Sequence, residues 1–179
     1  KENIKVVILD RPNPIGGDII EGSILEETFK SFVGLHEIPQ RHGLTIGEMA
    51  HFITNKIDLK VDLEVIPMTN WNRCMSYDDT GLHWVNPSPN LSTPNSAYSF
   101  VGSVLFEGTN ISEGRGTTRA LETVGHPNID AFAFSEHLNQ KWNNNSIYFR
   151  PQVFIPTFQK FKNQVCQGVQ IHILDKTSA

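Results

Sequence analysis

Residues 4–10 read IKVVILD, with five aliphatic side chains in seven positions. A near-continuous aliphatic run of this length is the pattern of a strand buried on both faces of a parallel sheet. The run stops at Asp10, and RPNPIGG follows at once. Two prolines and two glycines in seven residues make a turn, not the start of a helix. Working outward, residues 45–57, TIGEMAHFITNKI, place Ile46, Met49, Ala50, Ile53 and Ile57 at helical spacing. Thr45 with Glu48 three residues on has the form of a capping box. LEVIPM at 63–68 reads as a second strand. An irregular region follows, with Trp71, Trp84 and NPSPNLSTPNSA. Pro94 then suits a first helical turn, and Ala97, Phe100, Val101, Val104 and Leu105 form one apolar stripe over 94–105. DAFAFSEHLNQKW at 130–142 is a third helix, and IYFRPQVFIPTF and GVQIHILD read as later strands. Strands alternating with helices predict an α/β fold: a mixed sheet with flanking helices, its long polar loops forming one side of a cleft. The whole of 1–179 reads as a single α/β domain, with no internal repeat.

The composition excludes several classes. Of 179 residues, 39% are hydrophobic and 19% charged, ordinary values for a globular protein. A net charge of −4 gives nucleic-acid binding no electrostatic support. No run approaches the ~18 apolar residues of a membrane span. Two cysteines, Cys74 and Cys166, are too few for a disulfide framework, and their pairing stays open. The strand-like runs KENIKVVILD and GVQIHILDKTSA sit at the two ends. They suggest an excised piece of a longer protein, so a missing signal peptide carries no information about compartment.

Three polar loops flank these apolar elements: DRPNPIGGDIIEG at 10–22, RHG at 41–43, and FEGTNISEGRGTTR at 106–119. Loops leaving the carboxyl ends of strands are where α/β folds bind ligands. Asp10-Arg11 is a site pair or a turn-forming aspartate beside a solvated arginine. The prolines and glycines that follow suit a rigid loop presenting Asn13, or a plain connection. His36, His42 and His51 lack metal-binding spacing, and the bland reading of His42 is packing. His137 falls inside a helical pattern.

The third loop lacks both GxxxxGK[ST] and GxGxxG, so a nucleotide site has little support. It offers Glu107 and Glu113 beside Arg115 and Arg119. Paired carboxyl groups can work on a glycosidic bond. An arginine fork suits a carboxylate or phosphate. The bland alternative is an internally salt-bridged loop capping a helix that begins near Thr117. The residues themselves leave these readings open.

Taken together, VILDRPNPIGGDIIEG, SFVGLHEIPQRHGLTIGEMA, WVNPSPNLSTPNSA, LFEGTNISEGRGTTR and GVQIHILD resemble the exo-β-N-acetylmuramidases of bacterial cell-wall turnover, long described as a domain of unknown function. The stretches occur in the family's order and span nearly the whole chain. The resemblance implies an α/β glycoside hydrolase that removes N-acetylmuramic acid from the non-reducing end of peptidoglycan fragments. It implies no metal or cofactor, and an extracellular or cell-envelope location. Full-length members are about twice as long, with a Rossmann-like N-terminal half that contributes an acidic residue. This chain reads as a fragment without that half, so its expected partners are the missing half or an oligomer mate, besides a peptidoglycan-derived saccharide. The matching site positions are Asp10, Arg11, Asn13, Glu21, Arg41, His42, Glu107, Asn110, Glu113, Arg115, Thr117 and Arg119. Among them Glu113, then Glu107, is the expected catalytic carboxylate, and Arg115, Arg119 or Arg41 the expected cation for the lactyl carboxylate of muramic acid. Competing readings are a non-catalytic sugar-binding or interaction domain, and an α/β enzyme processing phosphosugars or nucleotides.

Overall fold

The structure, a computed structural model, describes residues 4–143 and 145–177. The chain divides into two compact units, with the break between Leu82 and His83. The α/β class expected from the sequence holds, and the strands sort into three small sheets.

In the first unit, β1 (Lys5–Leu9) pairs in parallel with β4 (Asp62–Ile66), Lys5 opposite Asp62 and Leu9 opposite Ile66. Between them the chain forms a short antiparallel pair, β2 (Glu21–Ile24) with β3 (Pro39–Arg41), and then α1 (Ile46–Lys56). The capping box read from the sequence is present. Thr45 Oγ1 accepts from the Glu48 amide, and the Glu48 carboxylate accepts from the Thr45 amide.

One expectation fails here. The IKVVILD run is a parallel strand but it is not buried: Val7 is 50% exposed and Leu9 71%. Parallel strands are buried when helices and further strands cover them. Within residues 4–82, β1 has β4 as its ladder partner and α1 packed on it, so much of its aliphatic surface remains open.

In the second unit, β5 (Thr123–His126), β7 (Cys166–Ile173) and β6 (Ile147–Phe154) form an antiparallel sheet with β7 at the centre. α3 (Ala131–Lys141), capped by the Asp130 carboxylate on the Ala133 amide, packs on β6 and β7. α2 (Pro94–Ser103) starts with Pro94 in its first turn, as the sequence predicts, behind a Thr93–Ser96 capping box. The expected stripe is partly buried, with Ala97 buried and Phe100, Val101 and Val104 half-buried, and a row of serines is buried beside it. Ser96, Ser99 and Ser103 recur at i, i+3 and i+7 and are buried, whereas Leu105, beyond the helix end, is 66% exposed. α2 packs on β7, and small side chains on its buried face suit that contact. Cys166 is buried, Cys74 is exposed, and both are free thiols.

The tie between strand and helix in the first unit is Asp10. Its backbone amide extends the ladder to Ile66 O at 3.0 Å. Its carboxylate accepts from Thr45 Oγ1 at 2.9 Å and from the Gly47 amide at 2.9 Å, two donors at the N-terminus of α1. A carboxylate there also meets the positive end of the helix dipole. Asp10→Ala should therefore cost about 1.5–3 kcal/mol of stability, read from denaturant unfolding. A loss within about 0.5 kcal/mol, typical of an indifferent surface change, would show the tie to be dispensable.

Candidate functional site

Two cavities lie beside the polar loops, one in each unit. In the first unit a cleft of about 430 Å³ opens where β1 and β4 end, with Arg11, Pro12, Met68, Asn70 and Trp71 among its walls. This is the ligand position of open α/β sheets. Around it, the sequence-selected residues divide into ties and a free group. Asp10 caps α1. Asn13 closes its own turn: Oδ1 accepts from the Ile15 amide at 3.2 Å, and Nδ2 donates to Leu44 O at 3.0 Å. Arg41 is buried and donates to Glu21 Oε2 at 2.8 Å. Arg73 holds the DRPNPIGG and RHG loops together. Its carbonyl accepts from the Gly17 amide at 2.7 Å, its Nη1 donates to Gly43 O at 2.9 Å, and its Nη2 pairs with Glu48. Arg11 is exposed, and its guanidinium has no partner among the described residues.

His42 packs into the RHG turn, with Nδ1 accepting from the Leu44 amide at 3.0 Å. Burial lowers its pKa below the usual imidazole value. The unfolded chain then binds more protons near and just below pH 6.5, so stability is fully present above that value and is lost as pH falls through the folded-state value. His42→Asn places an amide oxygen where Nδ1 sits and removes the titration. Acidification from pH 7 to 5 should lower the melting temperature less in this variant than in the wild type. Parallel curves would mean that His42 does not contribute to acid sensitivity.

In the second unit the 106–119 loop folds around a buried carboxylate. Glu113 is 1% exposed. Arg115 Nε lies 3.3 Å from its Oε1, and Lys160 Nζ lies 3.4 Å from its Oε2. Lys160 also donates to the carbonyls of Phe106 at 2.7 Å, Glu107 at 3.1 Å and Ile111 at 3.0 Å. Arg115 pairs in addition with Glu107, whose side chain is 44% exposed. Arg119 pairs with the buried Glu122 at 3.3 Å, and Glu122 accepts from Thr93 Oγ1, the N-cap of α2, at 2.6 Å. No helix begins at Thr117, whose hydroxyl donates to Gly114 O at 2.6 Å. Asn110 is exposed, with its side-chain amide unengaged.

Beside this loop is a cavity of about 650 Å³, lined by Asn90, Gly116, Thr117, Thr118, Gln152 and Phe158 among others. Gly116 is fixed there by close approach. It has φ +85°, and an added Cβ would lie 2.7 Å from the Thr157 and Phe158 amides. Its carbonyl accepts from both the amide and the hydroxyl of Thr157.

Sequence reasoning missed Lys160, Glu122, Gln152, Asn90 and the site position of Trp71. Lys160 lies 47 residues beyond the carboxylate it serves (160 − 113), and no local pattern links the two. Trp71 carried a signal, as a tryptophan in the irregular segment that follows β4. Among the described residues no group of His, Cys, Asp and Glu could hold a metal ion, and no helix is long and apolar enough to cross a membrane.

Lys160→Met keeps the apolar stem and removes the ammonium. That leaves a buried carboxylate short of one partner and three carbonyls without their donor, and should cost about 3–5 kcal/mol. Thermal unfolding at the wild-type temperature would mean that the loop stands without this lysine.

The relatives of the chain agree with the resemblance read from its motifs. Residues 1–95 match the family description "Exo-beta-N-acetylmuramidase NamZ, N-terminal", and residues 98–179 match "Exo-beta-N-acetylmuramidase NamZ, C-terminal". The first unit thus carries sequence of the family's N-terminal part, which corrects the expectation of a fragment without any of that half; what holds is that the chain spans only part of its relatives. The peptidoglycan beta-N-acetylmuramidase NamZ of Bacillus subtilis (strain 168) is 46% identical over 177 residues, covering 98% of this chain and 42% of that protein. The crystal structure of a DUF1343 family protein from Bacteroides fragilis NCTC 9343 superposes with a TM-score of 0.90 at 35% identity, over 99% of this chain and 47% of that one. A second DUF1343 family protein from the same organism gives 0.72 at 31% identity, over 96% and 44%. The chain therefore spans less than half the length of each of these relatives. With both family descriptions matched in order and close identity carried across nearly all of it, this chain belongs to the exo-β-N-acetylmuramidase family.

Proposed function

We propose that the full-length protein is a glycoside hydrolase of peptidoglycan turnover, working outside the cell or in its envelope. It releases N-acetylmuramic acid from the non-reducing end of peptidoglycan fragments. The observation that carries this reading is Arg11. Of the four arginines singled out by the motifs, Arg41, Arg115 and Arg119 are committed to Glu21, to Glu107 and Glu113, and to Glu122. Arg11 alone of these has an uncommitted guanidinium, exposed in the cleft at the strand ends. N-acetylmuramic acid differs from N-acetylglucosamine by a lactyl ether bearing a carboxylate. A planar two-pronged cation in a cleft is the group that distinguishes the two.

Hydrolysis of the glycosidic bond needs one carboxyl group to protonate the departing oxygen and a second to assist attack at the anomeric carbon. Glu107 is the solvent-facing member of the loop's pair. Glu113 is enclosed, and it acts on a substrate by holding Arg115 and Lys160 in place. The remaining carboxyl group comes from the part of the full-length chain outside these residues. That part also covers the open aliphatic surface of β1.

In the full-length protein, Arg11→Ala should raise KM for a muramic-acid-terminated disaccharide about 10- to 150-fold, the loss of one hydrogen bond to a charged group. It should leave kcat nearly unchanged, and affinity for the matching glucosaminide within about twofold. Equal losses on both sugars would remove Arg11 from lactyl recognition. A wild-type protein that releases no muramic acid would end the muramidase reading itself.

A further inference from the structure

We infer that the excursion between β2 and β3 is an anchoring arm, whose Phe32–Val33 tip seats in the part of the full-length chain that precedes residue 1. The inference is independent of which sugar the cleft takes.

The tip is a tight turn. The Ser31 amide donates to Gly34 O at 2.9 Å and the Gly34 amide to Ser31 O at 3.1 Å, which leaves Phe32 and Val33 as the two central residues. Such positions usually take glycine, proline, asparagine, aspartate or serine. Here they carry a phenyl ring 96% exposed and an isopropyl group 93% exposed. Ile24, Phe29 and Leu35 of the same segment are exposed as well. Scattered apolar residues on a surface are ordinary, but a concentration of them marks a contact. The arm keeps its shape without burying these side chains. Gly34 lies against Leu25, where an added Cβ would sit 3.3 Å from Cδ2. Glu27 pairs with Lys30 at 2.7 Å, and Glu37 pairs with Lys56 of α1 at 2.8 Å. The tip is therefore presented, not collapsed.

The unit that carries the arm says what it meets. Apart from proline, Tyr77 is the one buried apolar side chain of the first unit among the described residues, whereas the second unit buries nine. A folded unit without a core of its own needs apolar surface from elsewhere. More than half of each relative's length lies outside this chain. The match to the family's N-terminal part ends at residue 95 and the C-terminal match starts at 98, so further N-terminal sequence precedes residue 1. That segment is tethered to the first unit and so meets it at high effective concentration. A second copy would bring another unit with the same deficit. Seating the tip also steadies the cleft, because the foot of the arm joins its loops: Glu21 of β2 pairs with Arg41 of β3, which donates to Ile15 O at 3.4 Å.

The test uses the full-length protein. Val33→Cys places a thiol at the tip, and its alkylation by a maleimide is read at that position by peptide mass. Labelling should be at least about tenfold slower in the native protein than in urea, and equally slow at all concentrations of a monomer sized by light scattering. The double change Phe32→Ser with Val33→Ser should lower the melting temperature by about 4 °C or more. Where that variant fails to fold, or the two readouts disagree, the labelling rate decides. Fast labelling of native monomer would overturn the inference, leaving a free tip or one that awaits another molecule. Protection that is lost when a dimer is diluted to monomer would overturn it in favour of a second copy.

Discussion

A carboxylate almost without solvent, Glu113, lies between two cations, and the second unit's polar loop depends on it. Removing an ion from water costs several kcal/mol, which is recovered only when partners are close and well placed. Arg115 comes from the same loop. Lys160 comes from the segment after β6 and binds three further carbonyls of residues 106–111. One ammonium therefore fastens the loop and supplies a counter-charge 3.4 Å from Glu113 Oε2, an oxygen that accepts no hydrogen bond among the described residues. Opening the loop would undo both, so a glycine-rich stretch with little intrinsic order is held in one shape. Thr157, three residues before Lys160, fixes Gly116 in the same way. The cavity wall is thus a consequence of the buried ion cluster.

Asp10 does the corresponding work in the first unit, but locally. It joins the end of β1 to the start of α1 through the Gly47 amide, a donor that a helix N-terminus leaves unsatisfied, and through the hydroxyl of the N-cap Thr45. The loop after it is then set by Asn13, Arg73 and Arg41, and Arg11 is left over. The guanidinium of Arg11 shares its cleft with the Trp71 indole NH, which is buried and has no hydrogen-bond partner among the described residues.

How much of this could be read in the sequence follows from how local each cause is. The three helices were legible with their ends, because capping residues and helical spacing act within one or two turns. Parallel pairing of β1 was legible from its aliphatic run, but its exposure was not, because burial depends on what covers the strand. β5 was invisible: Thr123–His126 has little strand character, and it contains Gly125. The reason is a backbone contact with β7, where a Cβ on Gly168 would lie 2.0 Å from the Val124 carbonyl. β2 and β3 were missed as well, being short and joined by a 14-residue excursion between Ile24 and Pro39. At the site, the sequence singles out charged motif positions, and the structure adds how they pair with one another. A sequence shows that acids and bases are near one another. It does not show which of them are used up on each other.

That distinction answers what the FEGTNISEGRGTTR stretch gains from its charges. Its two acids and two bases are almost entirely spent: Glu113 on Arg115 and Lys160, Glu107 on Arg115, and Arg119 on Glu122. Charges paired within a fold leave only a short-range dipolar field, so this loop presents no net charge to a ligand beside it. What it leaves unspent beside the cavity is the Thr118 hydroxyl and the close-packed backbone around Gly116. The motif arginine that no acid has claimed among the described residues, Arg11, lies outside this loop. The loop neutralises its own charges from within.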